Sequence, residues 1–223
     1  MLKEAYNWWI KYNPNPLRIS QLDQVIKEIT NDFNLEKIIC IETGASQNWK
    51  DGCIGIFLAK LCELTNGQFY SVDNDKDIVN SSKKLYSELG FKQVKHYIEN
   101  SKTFLQSTEI IPNLVHLDSW DLNLRNPFPS ALHGWEEFIG IESKMPIGSI
   151  LLIDDNFFQG TWVEWKNNKE HEKWDRLNIE YPIVGKGSHI YSFIEGGGSN
   201  WKKLSKDKIG TNVKLVYKKV KND

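Results

Sequence analysis

Three aspartates stand where apolar runs stop. Asp118 closes NLVHLD (113–118), and Asp154 with Asp155 closes ILLIDDN (150–156). Carboxylates a few ångströms apart repel strongly unless protons or a cation neutralise them. Oxygen-only ligands suit a hard divalent ion such as Mg²⁺, which takes a few carboxylates and keeps water positions open for substrate. A second reading stays open, in which Asp154 and Asp155 are only an N-cap and turn pair. Two more acids end strand-like runs: Glu42 after KIICI and Asp73 after QFYSV. Glu42-Thr43-Gly44 places a glycine where the backbone turns tightly and could approach a ligand, or simply turns. Asp73 suits the acceptor of two ribose hydroxyl hydrogen bonds, or else Asp73 or Asp75 caps the next helix. His133, in SALHGWEE, is a candidate substrate contact or base. His116 lies inside a strand and reads as a satisfied core residue.

The elements that must position these residues alternate. Strand-like runs at 37–42, 68–73, 94–99, 113–118 and 149–154 are separated by helical patterns at 51–64, 75–90, 101–107 and 130–145. In the second of these helices Ile78, Val79, Ser82, Leu85 and Leu89 share a face, and Gly90 supplies the stop. In the last, Leu132, Trp135, Phe138, Ile139 and Met145 are expected on one side. Such alternation predicts right-handed βαβ units and a parallel sheet covered on both faces. In an open parallel sheet the C-terminal strand ends lie along one edge, where ligands bind at the switch in strand order. Four strand-end acids in register with that alternation therefore converge on one polar crevice.

Around this core, 3–12 and 18–33 read as helices, broken by NPNP (13–16). Residues 156–182 are polar and Trp-rich, and Trp162, Trp165 and Trp174 suit an acceptor pocket, a lid or plain packing. The segment from 201 onward reads as an antiparallel pair around a turn near Ile209–Thr211. The expectation is one domain: N-terminal helices 1–33, a ligand-binding core 37–155, an acceptor or lid region 156–200, and a terminal hairpin 201–220. No G-x-G-x-x-G or G-x-x-x-x-G-K-[ST] occurs, which argues against a dinucleotide oxidoreductase and a phosphate-cradling loop.

The bulk numbers exclude little else. The chain has 223 residues, 40% of them apolar, and a formal net charge of −1. That gives no global field for nucleic acid or anionic membrane. Lysines gather after Trp201, but they alternate with apolar residues as the wet face of a hairpin would. Three cysteines without a C-x-x-C pair suggest reduced thiols, and no basic-then-apolar leader or 18-residue apolar run appears. The expectation is a soluble, cytoplasmic protein with a small-molecule partner, no nucleic acid and no membrane. Residues 3–33 leave room for a homodimer.

The ordered set CIETG…YSVDND…IENS…LVHLDSWD…GSILLIDDN resembles the class I S-adenosylmethionine-dependent methyltransferases. It is most similar to the metal-dependent O-methyltransferases, the group of catechol O-methyltransferase and the macrocin-type sugar O-methyltransferases. The resemblance covers roughly 37–157, with the final hairpin matching the antiparallel sixth and seventh strands. It implies a Rossmann-like, doubly wound, mostly parallel seven-stranded α/β sheet with a C-terminal antiparallel hairpin. It also implies S-adenosylmethionine and a divalent cation, Mg²⁺, as cofactors. By position, Glu42 and Gly44 match the motif beside the methionine moiety, Asp73 the ribose acid, and Asn100 with Ser101 the stretch bordering adenine. Asp118, also counted with the cofactor residues, matches the first metal ligand, and Asp154 and Asp155 the adjacent pair. Asp121 corresponds to a base in the sugar branch, one position later than the usual D-x-D spacing. The function implied is O-methylation of a small hydroxylated acceptor, a sugar or glycosylated metabolite favoured. The alternatives are a Rossmann-like oxidoreductase and a catalytically inactive cofactor-binding module.

Overall fold

The computed structural model describes residues 1–12, 19, 22–23, 25–27, 37–48, 54–166, 172–176, 182–198, 200–206 and 212–221. Five parallel strands form the centre: β1 (Ile39–Thr43), β2 (Gln68–Asp73), β3 (Val94–Ile98), β4 (Leu114–Leu117) and β5 (Ile150–Phe158). Four helices connect them: α2 (Ile54–Leu64), α3 (Lys76–Glu88), α4 (Ser101–Ser107) and α5 (Phe128–Ile141). An N-terminal helix, α1 (Leu2–Tyr12), precedes β1. After β5 come a separate pair, β6 (Trp162–Lys166) and β7 (Glu172–Arg176), then β8 (Ile183–Gly185), a short α6 (Ser188–Phe193), β9 (Trp201–Lys203) and β10 (Val213–Lys219).

The main sheet runs β3-β2-β1-β4-β5-β10-β9, with β8 also paired to β5. It is thus mixed, parallel through β5 and antiparallel beyond it. Strand order reverses between β1 and β4, so their C-terminal ends flank the crevice expected of this topology. The register aligns Thr43 with Leu117 and Leu117 with Ile153, so the residues that follow emerge at one level.

Period-two alternation sends successive side chains to opposite faces. Cys40, Leu114, Ile150, Leu152 and Val216 pack with Trp9, Ile56 and Phe57 on the side of α1 and α2. Ile41, Val115, Leu151, Ile153, Leu215 and Tyr217 pack with Phe104, Phe138 and Ile141 on the side of α4 and α5. Both faces are covered, which is why β4 and the first half of β5 read as continuous apolar runs. Cys40 and Cys62 are buried free thiols, and burial pushes the Cys62 thiol up to about 12. No helix among the described residues is long and apolar enough to cross a membrane.

The structure departs from expectation at four places. Among the described residues the sheet has eight strands rather than seven, because β8 adds to β5. β5 does not stop at Asp154: it bends at Asp155, whose φ is +52°, and continues to Phe158 between β8 and β10. On α5 the buried face is Ala131, Gly134, Phe138 and Ile141, whereas Leu132 and Ile139 are exposed. The neighbouring chain approaches too closely for larger residues: a β-carbon on Gly134 would lie 2.4 Å from the Lys186 carbonyl oxygen. Finally, α5 ends before Met145, passing into a 3₁₀ turn at Glu142–Lys144. Part of 18–33 and the turn near Ile209–Thr211 lie outside the described residues; Leu22 and Val25 within the former are buried.

Candidate active site

The β1 end is built around a glycine and a buried acid. Gly44 has φ +82°, and a β-carbon there would lie 2.5 Å from the Asp118 carbonyl oxygen. Only glycine meets both demands, so the chain turns hard against β4. Glu42 lies beneath, 1% exposed, accepting from Ser46 (3.3 Å) and Ser71 (3.4 Å). Its carboxylate fills the space a side chain at Gly55 would need: a β-carbon there would lie 2.2 Å from Glu42 Oε1. Asp73 closes the turn from the other side: Oδ2 accepts from the Ala45 amide (3.0 Å) and Oδ1 from the Asp75 amide (2.9 Å). Asp75, not Asp73, caps α3. Asn100 caps α4 through the Lys102 and Thr103 amides.

The three aspartates meet as expected, but they meet two lysines. Lys186, on the turn after β8 and 3% exposed, lies 2.7 Å from Asp118 Oδ1 and 3.1 Å from Asp155 Oδ2. It also donates to the Asp118 carbonyl oxygen at 3.1 Å. Lys214, from β10, forms an ion pair with Asp154, and both are buried. Burial acts against the charge on Lys186, yet Asp118, Asp155 and Asp154 raise its pKa well above that of an ordinary lysine. Burial, with Asp154 beside it, pushes the Asp118 carboxyl up to about 6 against the pull of Lys186. Burial acts on Asp154 in the same sense, but Lys214, Lys186 and His116 outweigh it and hold that carboxyl well below the usual range.

These residues do not fit the divalent ion expected from the sequence. An ion shared by Asp118 and Asp155 would have to take the position of the Lys186 ammonium. His116, Asp118 and Asp154 do offer ligand atoms within 4.8 Å of one another, but Asp118 and Asp154 are each already paired with a lysine. His116 also differs from expectation. It is buried 3.5 Å from Glu42, and neither ring nitrogen has a hydrogen-bond partner among the described residues.

A second cluster lies across the cleft. Ser101 Oγ and His133 Nε2 are 3.1 Å apart, and His133 Nε2 lies 3.5 Å from the buried Glu137. Ser119 donates to Glu137 at 2.6 Å. Trp120, at φ +63° and 56% exposed, sits against the His133 ring with centroids 5.2 Å apart.

Gly44, Asp73, Asn100, Ser101, Asp118, Asp121, His133, Asp154 and Asp155 all line one cleft of about 340 Å³, and Glu42 lies below it. This is within the ordinary range for small-ligand sites. Sequence reasoning does not single out Lys186, Glu137 or Ser119. One signal for Lys186 is GKG (185–187): neither glycine tolerates a side chain beside Asp155 and Asn156. The side chains of Trp162, Trp165 and Trp174 lie outside what the structure describes.

Neither a scan of family models nor a search of curated proteins finds a match. Solved structures do match in fold. A chain from Clostridium thermocellum assigned as an rRNA methylase shares 12% identity and a TM-score of 0.60, covering 91% of this chain and 97% of that one. An rRNA methylase from Streptococcus thermophilus gives 11%, 0.56, 90% and 97%. An S-adenosylmethionine-dependent methyltransferase from Clostridium acetobutylicum gives 10%, 0.54, 88% and 89%. The fold is therefore the Rossmann-like fold of such methyltransferases. The expectation of no nucleic-acid partner is corrected by the same matches, since chains of this fold include rRNA methylases. Net charge could not exclude such a partner, because it averages over surfaces that bind locally.

Proposed function

We propose that this chain is an S-adenosylmethionine-dependent methyltransferase acting on a hydroxyl group of its acceptor. The observation that carries the reading is the Asp73 carboxylate, held by the Ala45 and Asp75 amides at the end of β2 and facing the Gly44 turn in the cleft. Each of its oxygens keeps a lone pair for a ribose hydroxyl. Asn100 and Ser101 would border the adenine, and Glu42 and Gly44 the methionine end. The residues fit the cofactor in charge as well. Among the described residues, three carboxylates, Asp118, Asp154 and Asp155, are met by two buried ammoniums, Lys186 and Lys214, and the single acid in excess suits a singly charged sulfonium. The bound cofactor supplies an electrophilic methyl group on a sulfonium.

The chain's own contribution is to orient the acceptor oxygen and take its proton. Asp121, an exposed carboxylate on the cleft lining, is the residue we assign to proton removal. His133 is committed to Ser101 and Glu137, so we assign it to positioning the nucleoside end rather than to the base role.

Isothermal titration with S-adenosylmethionine tests the reading. Binding that is lost in Asp73→Ala is expected. Absence of binding to the folded wild-type chain would reject it.

A further inference from the structure

We infer that Lys186 is a built-in counter-cation that closes the three-aspartate cluster to divalent ions. The inference deepens the proposed methyltransferase reading, and any catalytic consequence rests on that reading. Three observations carry it.

The first is position. The ammonium bridges Asp118, just after β4, and Asp155 on β5, the two carboxylates that an ion at the crevice would have to share. The second is pairing. An ammonium has three donors; Lys186 gives two of them to Asp118 Oδ1 and the Asp118 carbonyl oxygen, and its charge also faces Asp155 Oδ2 at 3.1 Å. Its charge is shared between the two carboxylates, so it neutralises and clamps them.

The third is that the surroundings are shaped to deliver it. A β-carbon on Gly185 would lie 2.0 Å from the Asp155 carbonyl oxygen. One on Gly187 would lie 2.9 Å from Asn156 Oδ1, which instead accepts from the Gly187 amide at 2.8 Å. One on Gly134 would strike the Lys186 backbone at 2.4 Å. Three glycines, one on β8, one on the turn after it and one on α5, thus let the backbone that carries Lys186 pack closely against β5 and α5. A surface lysine that happened to fall near an acid would need none of this. Lys214 completes the arrangement from the other edge by pairing with Asp154.

In a methyltransferase of this design, one positive charge fixed by the chain replaces two carried by an exchangeable ion. Methyl transfer then proceeds without added metal.

Mn²⁺ titration followed by electron paramagnetic resonance tests this without relying on turnover. The wild-type chain is expected to bind no Mn²⁺ at micromolar concentrations. Lys186→Ala, which removes the plug and leaves Asp118 and Asp155 without their shared cation, is expected to gain a Mn²⁺ site that Asp155→Asn in the same background removes. Lys186→Met keeps the stem and its packing, and guards against an alanine variant that fails to fold. Tight wild-type binding lost on Asp118→Asn would overturn the inference, and so would folded Lys186→Ala and Lys186→Met chains that gain no site. Calorimetry with S-adenosylmethionine on the same wild-type sample keeps the two claims apart. A chain that binds neither cofactor nor Mn²⁺, beside a lysine variant that binds Mn²⁺, would sink the methyltransferase reading and leave the role of Lys186 standing.

Discussion

Gly185 and Asp155 lie so close that the smallest side chain on Gly185 would fall 2.0 Å from the Asp155 carbonyl oxygen. Gly185 also has φ +133°, a region L-residues rarely enter. Gly185→Ala should therefore force β8 off β5 locally, at a cost of about 1–3 kcal/mol from backbone strain alone. Urea unfolding would show this as a lower midpoint.

Glu137 is 1% exposed and holds both Ser119 and His133. Glu137→Ala leaves the Ser119 hydroxyl without its acceptor and the His133 ring without the carboxylate beside it, which should cost about 1–3 kcal/mol. Glu137→Gln keeps an acceptor oxygen and should lose less. Thermal unfolding of the two variants beside wild type checks the order.

Asp121→Asn should separate binding from turnover. If Asp121 removes the acceptor proton, kcat falls by roughly 10²–10⁴. The dissociation constant for S-adenosylmethionine stays the same, because Asp121 is assigned no cofactor contact. A variant with wild-type kcat would remove Asp121 from the mechanism.

His96 predicts an acid limb in stability. Burial, with Lys83 adding to it, pulls its imidazole down from the ordinary 6.5 to about 4. Between those values the unfolded chain takes up a proton that the folded chain refuses. The stability present above pH 6.5 is therefore lost as pH falls toward 4. His96→Gln, which retains a polar partner for Ser82, should flatten the dependence of Tm on pH across that window.

The positions of the strand-end acids were legible because their placement follows from topology. Once strands and helices alternate, Glu42, Asp73, Asp118 and Asp154 must reach one edge. What neutralises them was not legible. Lys186 stands 68 residues from Asp118 in sequence, and it arrives on a three-residue strand that periodicity does not reveal. Lys214 reads as one more exposed lysine of a hairpin until the register of β10 on β5 buries it. The same limit applies to α5. Leu132 and Ile139 have helical spacing, yet the helix turns small residues inward because a backbone must pass there. Helical period locates a stripe, but which stripe is buried depends on the neighbour.

The β8 turn also has a bearing on the order in which the molecule assembles. The βαβ units up to β5 can form from contacts near in sequence, whereas Lys186 reaches Asp118 only after a long loop has closed. Until then three carboxylates crowd together with one cation fewer, so docking of residues 183–187 relieves a repulsion that the earlier strands create. Completion of the site is thus expected as a late event in refolding, later than formation of the sheet. Ligand-binding competence and far-ultraviolet circular dichroism should recover on different timescales, with the cleft serving as a report that the whole chain has arrived.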